Sequence, residues 1–179
     1  EGVQIVTTNA AATLTGAEPG VSAGLALAGV SGAVIASDAN GGLFRVVTTN
    51  AAAPAISVGT RLPAAGQALA ASASAVYVAA GSAGLLSVDP VTLAVMATNT
   101  VGGEAADVAL AGDTLYVAAG FGGCQIFSVA SPSVPVLLGT FGHPARAADA
   151  EVSGSSLFLA GDEAGLQVHS LTNAANPEW

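Results

Sequence analysis

Twelve acidic residues, three arginines, two histidines, two tyrosines and one cysteine are the titratable chemistry this 179-residue chain has to work with. Two of the acids, Asp107 and Asp149, occupy the same place in the matching phrases "ADVALAGD" and "ADAEVSGS". Such a carboxylate has two readings. It accepts from a neighbouring backbone amide, or it joins others in a ring lining a central channel. Asp38 and Asn40 in "SDANGG", with Asp162 and Glu163 in "GDEAGL", place oxygens in glycine-rich loops. A calcium loop needs alternating oxygens and a distal bidentate Glu. Asp38 and Asn40 alternate, but no closing Glu follows, and the sister phrases "GSAGL" and "GFGGC" carry no acid. The expectation is solvated turn carboxylates with no metal and no cofactor; calcium at these four residues is the alternative.

Nucleophilic catalysis finds little support. His143 lies in "FGHPARAAD", His169 alternates with Val168 in an extended run, and no G-x-S-x-G elbow occurs. No catalytic residue is assigned. Cys124, alone in the apolar stretch "GCQIFSV", excludes an internal disulfide and a cysteine zinc site, and reads as a buried thiol. With net charge −9, only Arg45, Arg61 and Arg146 could meet phosphates, so no nucleic-acid partner is expected and electrostatic docking on anionic membranes is disfavoured.

The elements that must position these residues come from composition and repetition. The chain is 52% hydrophobic and only 8% charged, which rules out a disordered segment. Charge-free stretches at 19–37 and 62–88 are long enough to raise a membrane span, but their equivalents later in the chain carry Asp107, Asp113, Asp149, Glu151, Asp162 and Glu163. No membrane span is expected. The start lacks an initiating methionine and a signal-like region, so processing or truncation is expected to have removed the true beginning.

A period of about 40 residues runs through the whole sequence. Gly2, Gly42, Gly84, Gly123 and Gly165 open the phrases "GVQIV", "GLFRV", "GLLSV", "GCQIF" and "GLQVH". Upstream lie "AVIASDANG", "AVYVAAGSAG", "TLYVAAGFGG" and "SLFLAGDEAG". Each unit has four short apolar runs separated by Gly, Ser, Asn, Asp and Pro, which is the grammar of strands and turns. "SG" at 31–32 and 153–154 and "GD" at 112–113 suit tight hairpins, and the anchor glycines suit positive φ. Tyr77, Tyr116 and Phe158 share one repeated position and read as packing. Four-stranded units of this length predict an all-β β-propeller of antiparallel blades. The divisions are a half blade at 1–23, full blades at 24–65, 66–105 and 106–145, and an incomplete blade at 146–179. "GLQVHSL" duplicates "GVQIVTT", which favours an open arc, a partial ring from a larger propeller, over a closed four-bladed ring. The alternative architecture is a right-handed β-solenoid.

Residues 106–179 resemble the LVIVD-repeat family of bacterial and archaeal β-propellers, through "ADVALAGDTLYVAAGFGGCQIFSVASPSVPVLLGTF" and "AADAEVSGSSLFLAGDEAGLQVHSLTNAANP". Asp107 and Asp149 match that family's early aspartate, Gly165, Leu166 and Val168 its third strand, and Asn173 and Pro177 its connector. Over 24–105 the pattern departs: Gly24 and Ala68 stand where Asp107 would, and the connector becomes "DPVTLAV". The resemblance implies a propeller in a secreted or surface-anchored protein and carries no catalytic residues. The function expected is a non-enzymatic extracellular or cell-surface scaffold (with the periplasm as the other compartment) that binds a protein partner or other copies of itself. A surface-layer or filament subunit, and part of a propeller enzyme with its catalytic residues elsewhere, are the alternatives.

Overall fold

The computed structural model describes residues 4–7, 10–13, 24–47, 55–59, 61–142, 145–163 and 165–173, all of them strand, turn or loop. The strands run in consecutive antiparallel sheets. β1 (Gln4–Thr7) pairs with β2 (Ala10–Thr13). β3 (Gly24–Val30), β4 (Ala33–Asp38), β5 (Leu43–Val47) and β6 (Ala55–Val58) form the first four-stranded sheet. β7 (Ala68–Ala71), β8 (Val76–Ala79), β9 (Leu85–Val88) and β10 (Val95–Asn99) form the second. β11 (Asp107–Ala111), β12 (Thr114–Ala118), β13 (Cys124–Ser128) and β14 (Val136–Phe141) form the third. β15 (Ala147–Ser153), β16 (Ser156–Gly161) and β17 (Gly165–Ser170) close the series as a three-stranded sheet. The first strands pack in succession, β3 on β7, β7 on β11 and β11 on β15. This is the radial stacking of a β-propeller, an arc of meandering blades. Among the described residues no helix is long and apolar enough to cross a membrane.

Stacking explains why the strands are apolar on both faces. Ile35, Leu43, Val76, Val78, Leu86 and Val88 fill the space between the first and second blades. Tyr77, Leu85, Leu115, Val117 and Phe127 fill the next. Tyr116, Cys124, Ile126, Leu157 and Leu159 fill the third. Alternate residues of one strand thus serve two different cores, and burying each large side chain contributes about 1.5–3 kcal/mol. On the last blade, the face turned away from its neighbour holds Leu166 and Val168, 63% and 47% exposed, where the earlier blades bury Leu85 and Cys124, Ile126. Phe158 on that face is half-buried, whereas Tyr77 and Tyr116 at its repeat position are buried.

The turns follow the sequence with local departures. Ser31–Gly32 and Gly112–Asp113 close their hairpins, while Gly154 and Ser155, one residue later than expected, close the fourth. Gly84, Gly123 and Gly165 have positive φ, but in the first blade Gly41 takes it and Gly42 does not. In that turn the Asp38 carboxylate accepts from the amides of Asn40 and Gly42. Ala26, opposite Ser37, is the counterpart of Asp107, opposite Ala118, rather than Gly24; matching bulges precede Ala26 and Asp149. Leu93 is the one described non-glycine residue at positive φ; it buries its side chain against Gly59, where a Cβ would collide with it.

Gly84 and Gly112 separate backbone strain from crowding. Both have positive φ, but a Cβ on Gly84 would strike the Asn99 carbonyl and one on Gly112 would meet open space. Gly112→Ala is expected to cost about 1 kcal/mol and Gly84→Ala about 3 kcal/mol, read from urea unfolding curves. Equal costs would contradict the crowding at Gly84.

Candidate functional site

Each blade's second and third strands are joined by a turn at the end of the arc where the chain also enters the next blade. Backbone bonds tie these two features together. The Leu62 amide donates to the Gly41 carbonyl at 2.7 Å. Gly81 and Ala105 exchange two bonds of 2.9 Å, and Gly120 and Ala147 exchange bonds of 3.1 and 2.9 Å. Gly81 and Gly120 reach these positions with φ of 53° and 58°, a region where a Cβ is unfavourable.

A cleft of about 510 Å³ opens at this end, where the entries to three successive inner strands converge. Its walls are largely alanine, among them Ala80, Ala105 and Ala148, and its polar groups are Gln67, Ser82, Glu104 and Arg146. Arg146 Nη2 lies 3.7 Å from Glu104 Oε2, a half-exposed pair linking the entries of the third and fourth blades. Such a pair adds at most about 1 kcal/mol to stability. At the same end of the blades, the turn residue Phe121 is 89% exposed. It follows Gly120, where a Cβ would lie 3.5 Å from the Glu104 carbonyl and 3.8 Å from Arg146 Nε.

The structure brings Asp107 and Asp149 together at the start of the inner strands, each one residue beyond a cleft alanine. Asp107 Oδ2 accepts from the Ala150 amide at 2.8 Å, and its carboxyl is hydrogen-bonded to Asp149. Burial first, then that carboxyl–carboxylate contact, push Asp107 up to about 7, against the opposing pull of the Ala150 and Val108 amides. Asp107 is half-buried and Asp149 exposed.

The other residues singled out from sequence lie apart from this cleft. Asp38 is buried, and its Oδ1 is held by the amides of Asn40 and Gly42 at 2.9 and 2.7 Å. Asn40 is exposed and its carbonyl accepts from Arg61 Nε at 2.7 Å. Asp162 and Glu163 are exposed in the β16–β17 turn. Among the described residues no three His, Cys, Asp or Glu side chains converge as a metal site would require. His169 is buried against Phe141, ring centroids 4.8 Å apart, with its Nε2 3.3 Å from Gln167 Oε1. His143 and Pro177 lie outside the described residues. Cys124 is fully buried, and burial pushes its thiol up to about 12, far from a reactive thiolate. Sequence reasoning missed the pairing of Glu104 with Arg146 and the exposure of Phe121. The available signal was Phe121 itself, a large aromatic at the turn position that Asn40 and Ser82 hold elsewhere.

No protein-family model matches the chain, and no curated protein matches it in sequence. Solved structures do match in fold. The computationally designed Ika4 protein is 14% identical with a TM-score of 0.73, covering 86% of this chain and 94% of its own. A chain of the nidogen/laminin complex is 8% identical with a TM-score of 0.67, over 94% of this chain and 66% of that one. The Pan2 WD40 domain of Neurospora crassa is 12% identical with a TM-score of 0.63, over 87% and 52%. This chain therefore spans about half the length of the Pan2 domain. The fold is that of a partial β-propeller.

Asp107 makes stability depend on pH. Its folded value lies above the ordinary carboxylate value of 3.8, so its contribution is full below about pH 4 and is lost as pH rises through about 7. The thermal midpoint is expected to fall by a few degrees between pH 5 and pH 8 in the wild type, and by clearly less in Asp149→Asn, which removes the like charge. Other carboxylates add slopes of their own, so the difference between the two proteins is the readout. Parallel curves would contradict the pairing.

Proposed function

We propose that this chain is a segment of a non-enzymatic extracellular or cell-surface β-propeller, of the LVIVD-repeat type, that acts as a scaffold and protein-interaction module. One observation carries the reading: an alanine-walled cleft, an ion pair and an 89% exposed phenylalanine occupy the same end of the blades. Rigid sheets position such turns and leave their side chains free for a partner. An exposed aromatic is the kind of anchor that dominates protein interfaces. The LVIVD-like phrases at 106–179 accord with a secreted or surface setting, and the matched nidogen/laminin structure is itself a protein complex.

A second observation favours the surface-layer or filament reading. The outer strand β14 exposes Val136, Leu137 and Leu138 at 53%, 51% and 47%, with Val134 beside them. The segment 134–141 carries no charge to discourage edge-to-edge association.

Immobilised chain should capture a discrete set of surface proteins from its source, and the double variant Phe121→Ala, Arg146→Glu should retain less than a tenth of that material. Capture that ignores the double variant but disappears in Leu137→Lys would favour lateral assembly through β14. Capture unchanged in both variants would sink the proposal.

A further inference from the structure

We infer that the open face of the last blade, β15–β17, docks an extended segment of a protein partner. That segment sets an arginine or lysine on Glu151 and apolar side chains on Phe158, Leu166 and Val168. This surface is distinct from the loop end proposed above and is tested independently of it. Residues directly opposite one another in a sheet share a face. Glu151 lies opposite Phe158 and Phe158 opposite Val168, and Ala160 lies opposite Leu166. The same rows in the third blade, Ala109 with Tyr116 and Ile126, and Ala118 with Cys124, are buried against the last blade. In the second blade Tyr77, Ala79 and Leu85 are buried against the third. On the last blade these positions lie open, with Leu166 63% and Val168 47% exposed. Apolar rows that continue two buried interfaces call for an apolar cover.

One position on this face breaks the pattern. The inner strands of the first three blades place Ala28, Ala70 and Ala109 opposite Ile35, Tyr77 and Tyr116, and the last blade places an exposed Glu151 opposite Phe158. Alanine lets the following sheet come close. A glutamate covered by apolar side chains alone loses its water and gains no partner, which is strongly unfavourable. Among the described residues the one ion pair joins Arg146 to Glu104, so Glu151 has no cation beside it. Whatever covers the face must therefore bring one. A second copy of this chain has none to give. The sequence contains no lysine, Arg146 is engaged by Glu104, and Arg61 donates to the Asn40 carbonyl. Arg45 is half-buried opposite Ile35, on the face turned to the second blade. Two copies of net charge −9 also repel each other. The partner is extended because the equivalent faces within this chain are each covered by strands.

The test titrates three capped peptides into the 15N-labelled chain and follows them by NMR: Ac-Ile-Thr-Arg-Thr-Ile-NH2 and its counterparts with Glu or Thr at the centre. Alternate residues of a strand share a face, so the arginine and both isoleucines meet the blade together. The arginine peptide should bind saturably and shift the amides of Glu151, Phe158, Leu166 and Val168, leaving Gly81 and Ala105 unmoved. Val168→Ser should weaken all three peptides. Glu151→Ala should weaken the arginine peptide alone, by about fivefold, the size of an exposed ion pair. Both positions are exposed, and an unchanged amide spectrum away from β15–β17 shows that each variant is folded. Tighter binding of the glutamate or threonine peptide, or full affinity for arginine in Glu151→Ala, would overturn the assignment. Absence of saturable binding would overturn it too. So would self-association of the wild-type chain in sedimentation that Val168→Ser abolishes, which gives the face to a second copy. The loop-end interaction stands or falls separately on the capture experiment.

Discussion

The backbone bridge between one blade's turn and the next blade's entry is the constraint on which the rest of the structure depends. Sheets stacked by apolar faces can slide, because the hydrophobic effect has no direction. Hydrogen bonds between Gly81 and Ala105, and between Gly120 and Ala147, fix both the register and the angle at which the next blade begins. Glycine is required because the turn must pass through positive φ while presenting both its amide and its carbonyl outward. Asp107 reinforces the same joint from the inside by accepting from Ala150 in the following blade. Everything at the loop end inherits its position from these bonds, including the Glu104–Arg146 pair and the exposed Phe121.

The same joints explain where a chain with so few charges places them. Strands whose two faces serve two cores admit few charged side chains, and the polar ones they bury are a handful such as Ser37, Gln125 and His169, so most charge lies at the turns and entries. At the loop end that concentrates Glu104, Asp107, Arg146 and Asp149 within a few residues of the bridges. Asp38 shows the internal use of the same economy: buried, it stabilises its own turn rather than facing outward.

Much of the fold was legible in the sequence because the period is expressed in glycines and apolar runs, both with strong local meaning. Gly84, Gly123 and Gly165 carry positive φ as their spacing implied. The first blade departs from the pattern in two places: its special φ sits at Gly41, in a turn held by the Asp38 carboxylate, rather than at Gly42, and the counterpart of Asp107 is Ala26 rather than Gly24. The site was less legible. Asp107 and Asp149 recur visibly, but their contact arises between blades, and repeats specify what lies within a unit better than what meets across units. Glu104 and Arg146 belong to irregular entries that no repeat phrase marks, so their pairing was invisible before the blades were placed.

Amide hydrogen exchange at the joints tests the account most directly. The amides of Gly81, Ala105, Gly120 and Ala147 lie in turns and entries, where solvent exchange is ordinarily fast. If the bridges fix each blade on the next, these four should exchange as slowly as Val117 in the buried strand β12. Exchange at the rate of the exposed hairpin residues Gly112 and Asp113 would contradict the account, because the blades would then be held by apolar packing alone.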